Sequence, residues 1–350
     1  MSKKQWFSIL FIAFPLMALS QNRKLTIQDS ARYSVSMIYE SVVDMIYLYE
    51  DFLEVSVLGY SEFGQAIPIL KITDTSSKAK MPILLVGNLH AREFFSSKFV
   101  LKFCNEFLFS LANSNGVYPS ANKILETYDL YLIPLANPDG LKIAQEDWSG
   151  IEFYKKEVDY IKRIGPYSDW KANGIGIDLN NNFDDGNFEV KHGHLFEKTP
   201  ASQGHKGDYP CQANEVRILQ DFVDSIVPLL TLSFHTKGDV LFWADKGTHA
   251  QFEGLDTKLN TRIANKCGFK MAKVSRNPRE YGAGLENYIR AKTRRIGVCV
   301  ELSPPNDLVA QHPSHMFKTL VWDKCRDMPI LYLEELSRLY PSYRYLFLKD

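Results

Sequence analysis

The sequence predicts an α/β fold, namely one domain with a central twisted sheet, mixed but largely parallel, and helices on both faces. Short β-type runs alternate with helical patterns along the chain, as they do in folds of this class. Several predicted strands are continuous apolar runs, such as ILLVGNL, LTLSF and IGVCV, which is typical of strands buried on both faces. The chain of 350 residues is 45% hydrophobic and shows no repeat or linker, so we expect one domain that is large enough to bury a sizeable core.

The first 20 residues differ from the rest of the chain. Lys3 and Lys4 precede an apolar run of about 14 residues, which is shorter than the ~20 that a membrane-spanning helix needs. Small residues follow at Ala18 and Ser20, which completes the pattern of a secretory signal peptide. We therefore expect residues 1–20 to be cleaved and residues 21–350 to form one domain without a stable membrane span. The protein is then secreted or resident in the cell envelope; an uncleaved anchor and a buried first helix are the alternatives.

Hydrophobic periodicity places the elements of this domain in order. The predicted strands are 54–58, 67–72, 82–89, 129–134, 230–234 and 296–300. The predicted helices are 32–52, 96–111, 214–225, 255–267, 284–291 and 316–339. Residues 145–208 are polar and weakly periodic, and so long an irregular stretch in a compact domain is usually functional.

Charge and cysteine content exclude some classes of protein. Lys+Arg and Asp+Glu are both 41, so the chain lacks the net positive charge that is typical of a nucleic-acid-binding protein. The five cysteines are an odd number and form no CxxC pair, which does not indicate a disulfide scaffold and leaves at least one unpaired. We expect most of them to be small buried apolar residues.

Three predicted strands are followed by side chains that share a chemistry. His90 and Glu93 follow the strand at 82–89, His235 follows 230–234, and Glu301 follows 296–300. Ligands of open α/β sheets bind beyond the carboxyl ends of the strands. Two histidines and one carboxylate, with a fourth position left for water, form a catalytic zinc set. We predict His90, Glu93 and His235 as zinc ligands, with Glu301 taking a proton from the activated water.

Other polar residues have plainer interpretations. His192, His194 and His205 could bind a metal, but their polar surroundings favour a solvated loop. We expect His312 and His315 at the surface. The composition of residues 137–140 (NPDG) predicts a turn.

Seven segments in chain order, over roughly residues 35–305, resemble the zinc metallocarboxypeptidases of the carboxypeptidase A/B type. They are 59–64 (GYSEFG, with Gln65 where Arg is usual), 87–93 (GNLHARE), 134–140 (PLANPDG), 176–183 (GIDLNNNF), 232–235 (LSFH), 281–284 (YGAG) and 298–302 (VCVEL). The resemblance implies a carboxypeptidase-like fold, one Zn²⁺ per chain and the ligand set just described. It also implies that Glu301 acts first as a general base and then as the acid that protonates the leaving amine.

The resemblance assigns further roles around the metal. Lys171 stands where the family often has an arginine, whose charge stabilises the developing oxyanion. A lysine supplies a point charge there but no planar fork. Arg92 and Asn180 match substrate-contacting positions, and Tyr281 matches a tyrosine that hydrogen-bonds bound substrate.

One departure from the family pattern concerns the substrate. The family's GVDLNRNF segment carries an arginine that holds the terminal carboxylate of the substrate, and Asn181 occupies that position here. Asparagine cannot form the bidentate, charge-assisted pair that arginine makes with a carboxylate. Asn181 and two further segments, 170–173 (WKAN) and 232–238 (LSFHTKG), resemble the corresponding parts of the bacterial γ-D-glutamyl-meso-diaminopimelate peptidases. Those enzymes cut peptidoglycan stem peptides between D-Glu and diaminopimelate.

The resemblance therefore implies a zinc metallopeptidase whose partner is a peptide or muropeptide substrate. The N-terminal pattern adds the expectation of secretion, and the balanced charge adds that of no nucleic-acid partner. Two alternatives stay open. A conventional carboxypeptidase could replace the missing charge by Arg276 or Arg279, and a non-catalytic module could merely bind wall peptides.

Overall fold

The computed structural model of the chain describes residues 24–74, 78–191, 197–277 and 281–348. The expected signal peptide at 1–20 lies outside these ranges, as do His192, His194 and Arg279. None of the helices within these ranges is both long and apolar enough to cross a membrane.

A mixed sheet forms the centre of the domain, in the strand order β1-β2-β4-β3-β5-β8-β6-β7. The strands are β1 Leu53–Tyr60, β2 Ala66–Ile72, β3 Met81–Gly87, β4 Tyr128–Ile133, β5 Leu230–His235, β6 Val240–Phe242, β7 Lys270–Met271 and β8 Ile296–Glu301. The four neighbours β4, β3, β5 and β8 run parallel, whereas β1, β2 and β6 each pair antiparallel with a neighbour. The predicted α/β class with a largely parallel, mixed sheet is confirmed.

Helices cover both faces of the sheet. They are α1 Val35–Leu48, α2 Phe94–Ala112, α3 Ala121–Leu125, α4 Pro138–Gln145, α5 Lys155–Lys162, α6 Asn214–Ile226, α7 Leu255–Cys267, α8 Leu285–Tyr288, α9 Asp323–Cys325 and α10 Met328–Tyr343. Alternate residues of β3 belong to different cores, since Ile83 and Leu85 pack into one and Leu84 and Val86 into the other. The continuous apolar run of this strand is thus explained by burial on both faces.

Several predicted boundaries differ from the structure for local reasons. The strand predicted at 82–89 ends at Gly87, because Asn88 takes a left-handed φ of 62°. The turn predicted at 137–140 is wrong: Asn137 is the N-cap of α4, its side chain accepts a hydrogen bond from the Gly140 amide at 3.0 Å, and Pro138 begins the helix. The helix predicted at 316–339 is broken into a π-helical turn at Lys318–Trp322, α9 and α10.

Two histidines that we expected to be solvated are buried. His205 is 2% exposed, and its Nδ1 contacts the Glu197 carbonyl at 3.0 Å. His312 is 6% exposed and stacks on Phe95. His315 is exposed, as predicted. The five cysteines are free thiols, and Cys211 is the one that is not fully buried.

Candidate active site

The three strand ends that carry the predicted zinc chemistry are neighbours in the sheet. His235 is the last residue of β5 and pairs in register with Glu301, the last residue of β8. On the other side of β5, Gly87 at the end of β3 pairs with Phe234. The chain then turns through Asn88, whose side-chain amide donates to the carbonyls of His90 and Ala91 at 3.2 Å each. This turn carries His90 and Glu93 to the same edge of the sheet.

The predicted zinc ligands form a compact buried cluster. The distances are 3.0 Å from His90 Nδ1 to Glu93 Oε1, 3.1 Å from His235 Nδ1 to Glu93 Oε2, and 2.9 Å between the two Nδ1 atoms. One ligand atom of each residue lies within 4.8 Å of the others. Ligands about 2.0–2.2 Å from a tetrahedral zinc ion lie about 3.3–3.6 Å apart, so the donor atoms need to move apart by only a few tenths of an ångström to hold this ion. A cation between the two Nδ1 lone pairs also removes their mutual repulsion.

The remaining ring nitrogens are held by neighbours that sequence reasoning missed. His90 Nε2 lies 3.1 Å from Asp178 Oδ1, and His235 Nε2 lies 3.0 Å from Ser233 Oγ. Hydrogen bonds of this kind fix the tautomer and direct the other nitrogen to the metal. Asp178 stands in the quoted GIDLNNNF segment, and an acid in an otherwise apolar and amide-rich motif is the signal that could have identified it.

We expect Asp178→Asn to weaken zinc binding about 10- to 100-fold, because the amide no longer holds His90 as a carboxylate does. The measurement is competition for zinc with a chelator of known affinity. Asp184→Asn is the matched control, since Asp184 is partly exposed and lies 3.9 Å from Lys292 at the surface. Unchanged zinc affinity in Asp178→Asn contradicts the assigned role.

Neighbouring charges and burial shift the pKa values of the side chains in and beside the cluster. Burial alone would raise the pKa of Asp178, but Lys171 and His90 hold it well below its usual range. Burial and the His90 charge lower the pKa of His235, which keeps its ring in the neutral form that binds metals. Burial lowers the pKa of Lys171, yet Asp178 and Glu93 outweigh this effect and raise it overall, so the lysine stays charged.

Glu301 lies at the end of β8, paired in register with His235, and is not one of the three members of the cluster. Its Oε2 is buried and has no hydrogen-bond partner among the described residues. Burial and the charge of Glu93 raise the pKa of Glu301 to about 8. A bound dication would add positive charge nearby and favour the ionised form, in which the carboxylate can accept a proton.

Lys171 contacts the surroundings of the same cluster through both its backbone and its side chain. Its carbonyl accepts a hydrogen bond from Ala91, inside the turn between His90 and Glu93, at 3.0 Å. Its Nζ lies 3.6 Å from Asp178 Oδ2. The structure therefore brings a positive charge close to the predicted zinc ligands, and its role in stabilising an oxyanion stays a prediction from the family resemblance.

Within the described part of the chain, the predicted substrate-binding residues form no side-chain hydrogen bond to the predicted zinc ligands. Arg92 donates from Nη1 to the Asp169 carbonyl at 2.7 Å and to Gln203 Oε1 at 3.0 Å. Asn180 Oδ1 accepts from the Leu285 amide at 2.9 Å and so holds the start of α8.

The other two substrate candidates are half-buried. Asn181 follows Asp178 by three residues in a short 3₁₀ turn, and its amide donates to the Asp178 carbonyl at 3.0 Å. The hydroxyl of Tyr281 lies near Gly247. Burial and the charge of Asp245 raise the pKa of Tyr281. Arg276, which could have replaced the missing arginine, is exposed. The roles of all these residues stay predictions.

Known proteins resemble this chain in sequence. A family model described as zinc carboxypeptidase matches residues 38–317. The γ-D-glutamyl-L-diamino acid endopeptidase 1 of Lysinibacillus sphaericus is 25% identical over 279 residues, which are 79% of this chain and 67% of that protein. Carboxypeptidase B2 of Bos taurus is 24% identical over 260 residues, 73% of this chain and 56% of that protein.

Solved structures resemble it in fold. The crystal structure of thrombin activatable fibrinolysis inhibitor superimposes with a TM-score of 0.69 at 17% identity, over 91% of this chain and 77% of that one. Carboxypeptidase A from Helicoverpa armigera superimposes with a TM-score of 0.66 at 15% identity, over 92% of this chain and 77% of that one. The family match spans most of the described domain and includes every residue of the buried metal cluster. The chain therefore belongs to the zinc carboxypeptidase family and is a zinc metallopeptidase.

Proposed function

We propose that this metallopeptidase is secreted or held in the cell envelope, and that it cleaves the bond between γ-D-Glu and diaminopimelate in peptidoglycan stem peptides. Asn181 is the observation that carries the proposal. It stands where the related carboxypeptidases have an arginine for the terminal carboxylate, and an amide offers no charge to a free C-terminus. The Lysinibacillus sphaericus relative, named for a γ-D-glutamyl-diamino acid bond, supports the same substrate class.

The proposed mechanism follows from the positions of the side chains. His90, Glu93 and His235 would hold the zinc ion, which when bound lowers the pKa of water and polarises a carbonyl oxygen. Glu301 takes the proton of the attacking water on Oε2, which has no hydrogen-bond partner among the described residues, and passes it to the nitrogen of the leaving residue. Lys171 supplies positive charge as the carbonyl oxygen becomes an oxyanion, in a buried site where such charge is most effective.

The substrate assignment is tested with the zinc-loaded enzyme and two peptides. One carries the γ-D-Glu–diaminopimelate bond, and the other is an ordinary α-linked peptide with a free C-terminus. We expect kcat/KM to favour the γ-linked peptide, and Asn181→Arg to raise activity on the α-linked peptide about 10- to 100-fold, the effect of one charge-assisted contact. Faster release of the C-terminal residue from the α-linked peptide by the unmodified enzyme contradicts the proposal.

Secretion has a separate test. Expression of the full chain in a bacterial host should place the protein outside the cytoplasm, with a mature N-terminus near Gln21. A cytoplasmic protein that keeps residues 1–20 contradicts this part of the proposal.

A further inference from the structure

Glu215, in the first turn of α6, is a fully buried acid that the mechanism above does not use. Its Oε2 accepts a hydrogen bond from Asn173 Nδ2 at 3.0 Å, and its Oε1 accepts from the Glu62 amide at 3.4 Å. Among the described residues, no lysine, arginine or histidine forms an ion pair with it. Burying a carboxylate without a cation is costly, so this acid calls for a functional explanation.

A second buried acid, Asp139 of α4, acts on Glu215. The Asp139 carboxylate accepts hydrogen bonds from Ser61 Oγ at 2.7 Å and from the Phe63 amide at 2.8 Å. Burial raises the pKa of Asp139 to about 6, whereas burial and the charge of Asp139 raise the pKa of Glu215 to about 8. At neutral pH the pair therefore keeps one proton, and it resides on Glu215.

The other titratable groups that face this pair do not neutralise it. Glu62, in the turn between β1 and β2, adds a further negative charge. Lys142 of α4 favours the ionised form of Asp139, but its ammonium lies 3.3 Å from Asp147 Oδ2. Burial and the charge of Asp139 raise the pKa of Tyr39 on α1, so this phenol stays neutral.

Both acids contact the segment 170–174, which carries Lys171. The first acid accepts its hydrogen bond from Asn173, and a Cβ added to Gly174 would come within 3.0 Å of Oδ2 of the second acid. The Lys171 carbonyl in turn accepts from the Ala91 amide, in the turn that carries two of the predicted zinc ligands. A short path of contacts therefore joins the pair of acids to the active site.

We propose that Glu215, in its protonated form, is a positioning residue that holds the segment 170–174 and so directs Lys171 to the active site. This inference rests on the role proposed for Lys171, but not on the identity of the substrate. Ionisation of Glu215 places two negative charges in one buried site, and water must enter to solvate them. The segment then loosens, and kcat falls at alkaline pH.

The experiment compares the pH profiles of the wild-type holoenzyme and Glu215→Gln on any peptide that the enzyme cleaves. Glutamine keeps the shape of the neutral acid and cannot ionise. We expect similar kcat at pH 7, and at pH 9 a kcat of the variant about 10-fold above that of the wild type, with KM unchanged.

Thermal unfolding gives an independent measurement. The folded-state pKa of Glu215, about 8, lies above the usual value of 4.5, so wild-type stability falls as the pH rises between these values. The Tm of Glu215→Gln should match the wild type below pH 4.5 and exceed it at pH 9 by at least about 2 °C. Glu335→Gln is the matched control, because the buried Glu335 is paired with Arg262 and Arg338. Its Tm at pH 7 should fall, and its kcat should not change.

A comparison in the Lys171→Ala background separates positioning from a merely structural role. There Glu215→Gln should still raise Tm at pH 9, but should no longer raise kcat. Equal kcat of the wild type and Glu215→Gln at pH 9 overturns the proposal, as does a gain in kcat that persists without Lys171.

Two further outcomes are also decisive. If Glu215→Gln does not fold, an alkaline fall in kcat that is present in the wild type and absent from Lys171→Ala supports the proposal, and its persistence in Lys171→Ala overturns it. A Lys171→Ala enzyme with wild-type kcat refutes the role of Lys171 and this inference with it. Failure of the proposed substrate looks different, because another peptide is then cleaved and every comparison stands.

Discussion

Glu301→Gln is expected to lower kcat by about 10³-fold while the enzyme keeps its full zinc content, because general acid–base catalysis contributes 10²–10⁴-fold. Glutamine has nearly the size of glutamate but cannot accept the proton of the attacking water. Glu301 lies outside the cluster of His90, Glu93 and His235, so its replacement leaves the donor set intact. Its Oε2 has no partner in the described structure, so no bond to the protein is lost there.

Steady-state kinetics with elemental analysis of zinc on the same sample measures this effect. The ionised carboxylate is the base, so the wild-type rate should rise with pH as Glu301 loses its proton, and the variant should lose this acidic limb. Glu253→Gln is the control, since the exposed Glu253 accepts a hydrogen bond from Tyr345 at the surface. A zinc-loaded Glu301→Gln enzyme with full activity would falsify the assignment.

The central strands could be predicted because a strand that is buried on both faces consists of consecutive apolar residues, which are easy to recognise in the sequence. The strands β6 and β7 could not, since three and two residues are too short for any period to show. The helix at α4 was read as a turn because its opening residues, Asn137 and Pro138, are equally favoured in turns and at helix N-termini. The local sequence therefore cannot distinguish a turn from the start of a helix.

The cluster of His90, Glu93 and His235 could be predicted because these residues follow strands whose positions were already clear. The residues that hold them could not. Asp178 is 88 positions from His90, in a segment with no regular period, and only the folded chain brings the two together.

Replacement of His235 by alanine should have the other large effect, the loss of zinc and of activity together. The ring is fully buried, and its Nδ1 is one of three donor atoms. Two donors from the chain hold zinc far more weakly than three, and the metal supplies several kcal/mol of transition-state stabilisation. We therefore expect kcat/KM to fall by about 10⁴-fold at ordinary zinc concentrations.

A thermal-stability measurement separates loss of the metal from loss of the fold. Zinc that binds only the folded state raises Tm, so adding zinc to the metal-free wild type should stabilise it and restore activity. His235→Ala should be folded without zinc and show neither response. His249→Ala is the control, because His249 contacts Asp256 at 2.7 Å outside the metal cluster and should respond as the wild type does. A zinc-dependent rise in Tm of wild-type size in His235→Ala would mean that other residues hold the metal. Zinc and activity are lost together only if residues that follow β3 and β5 bind the same ion.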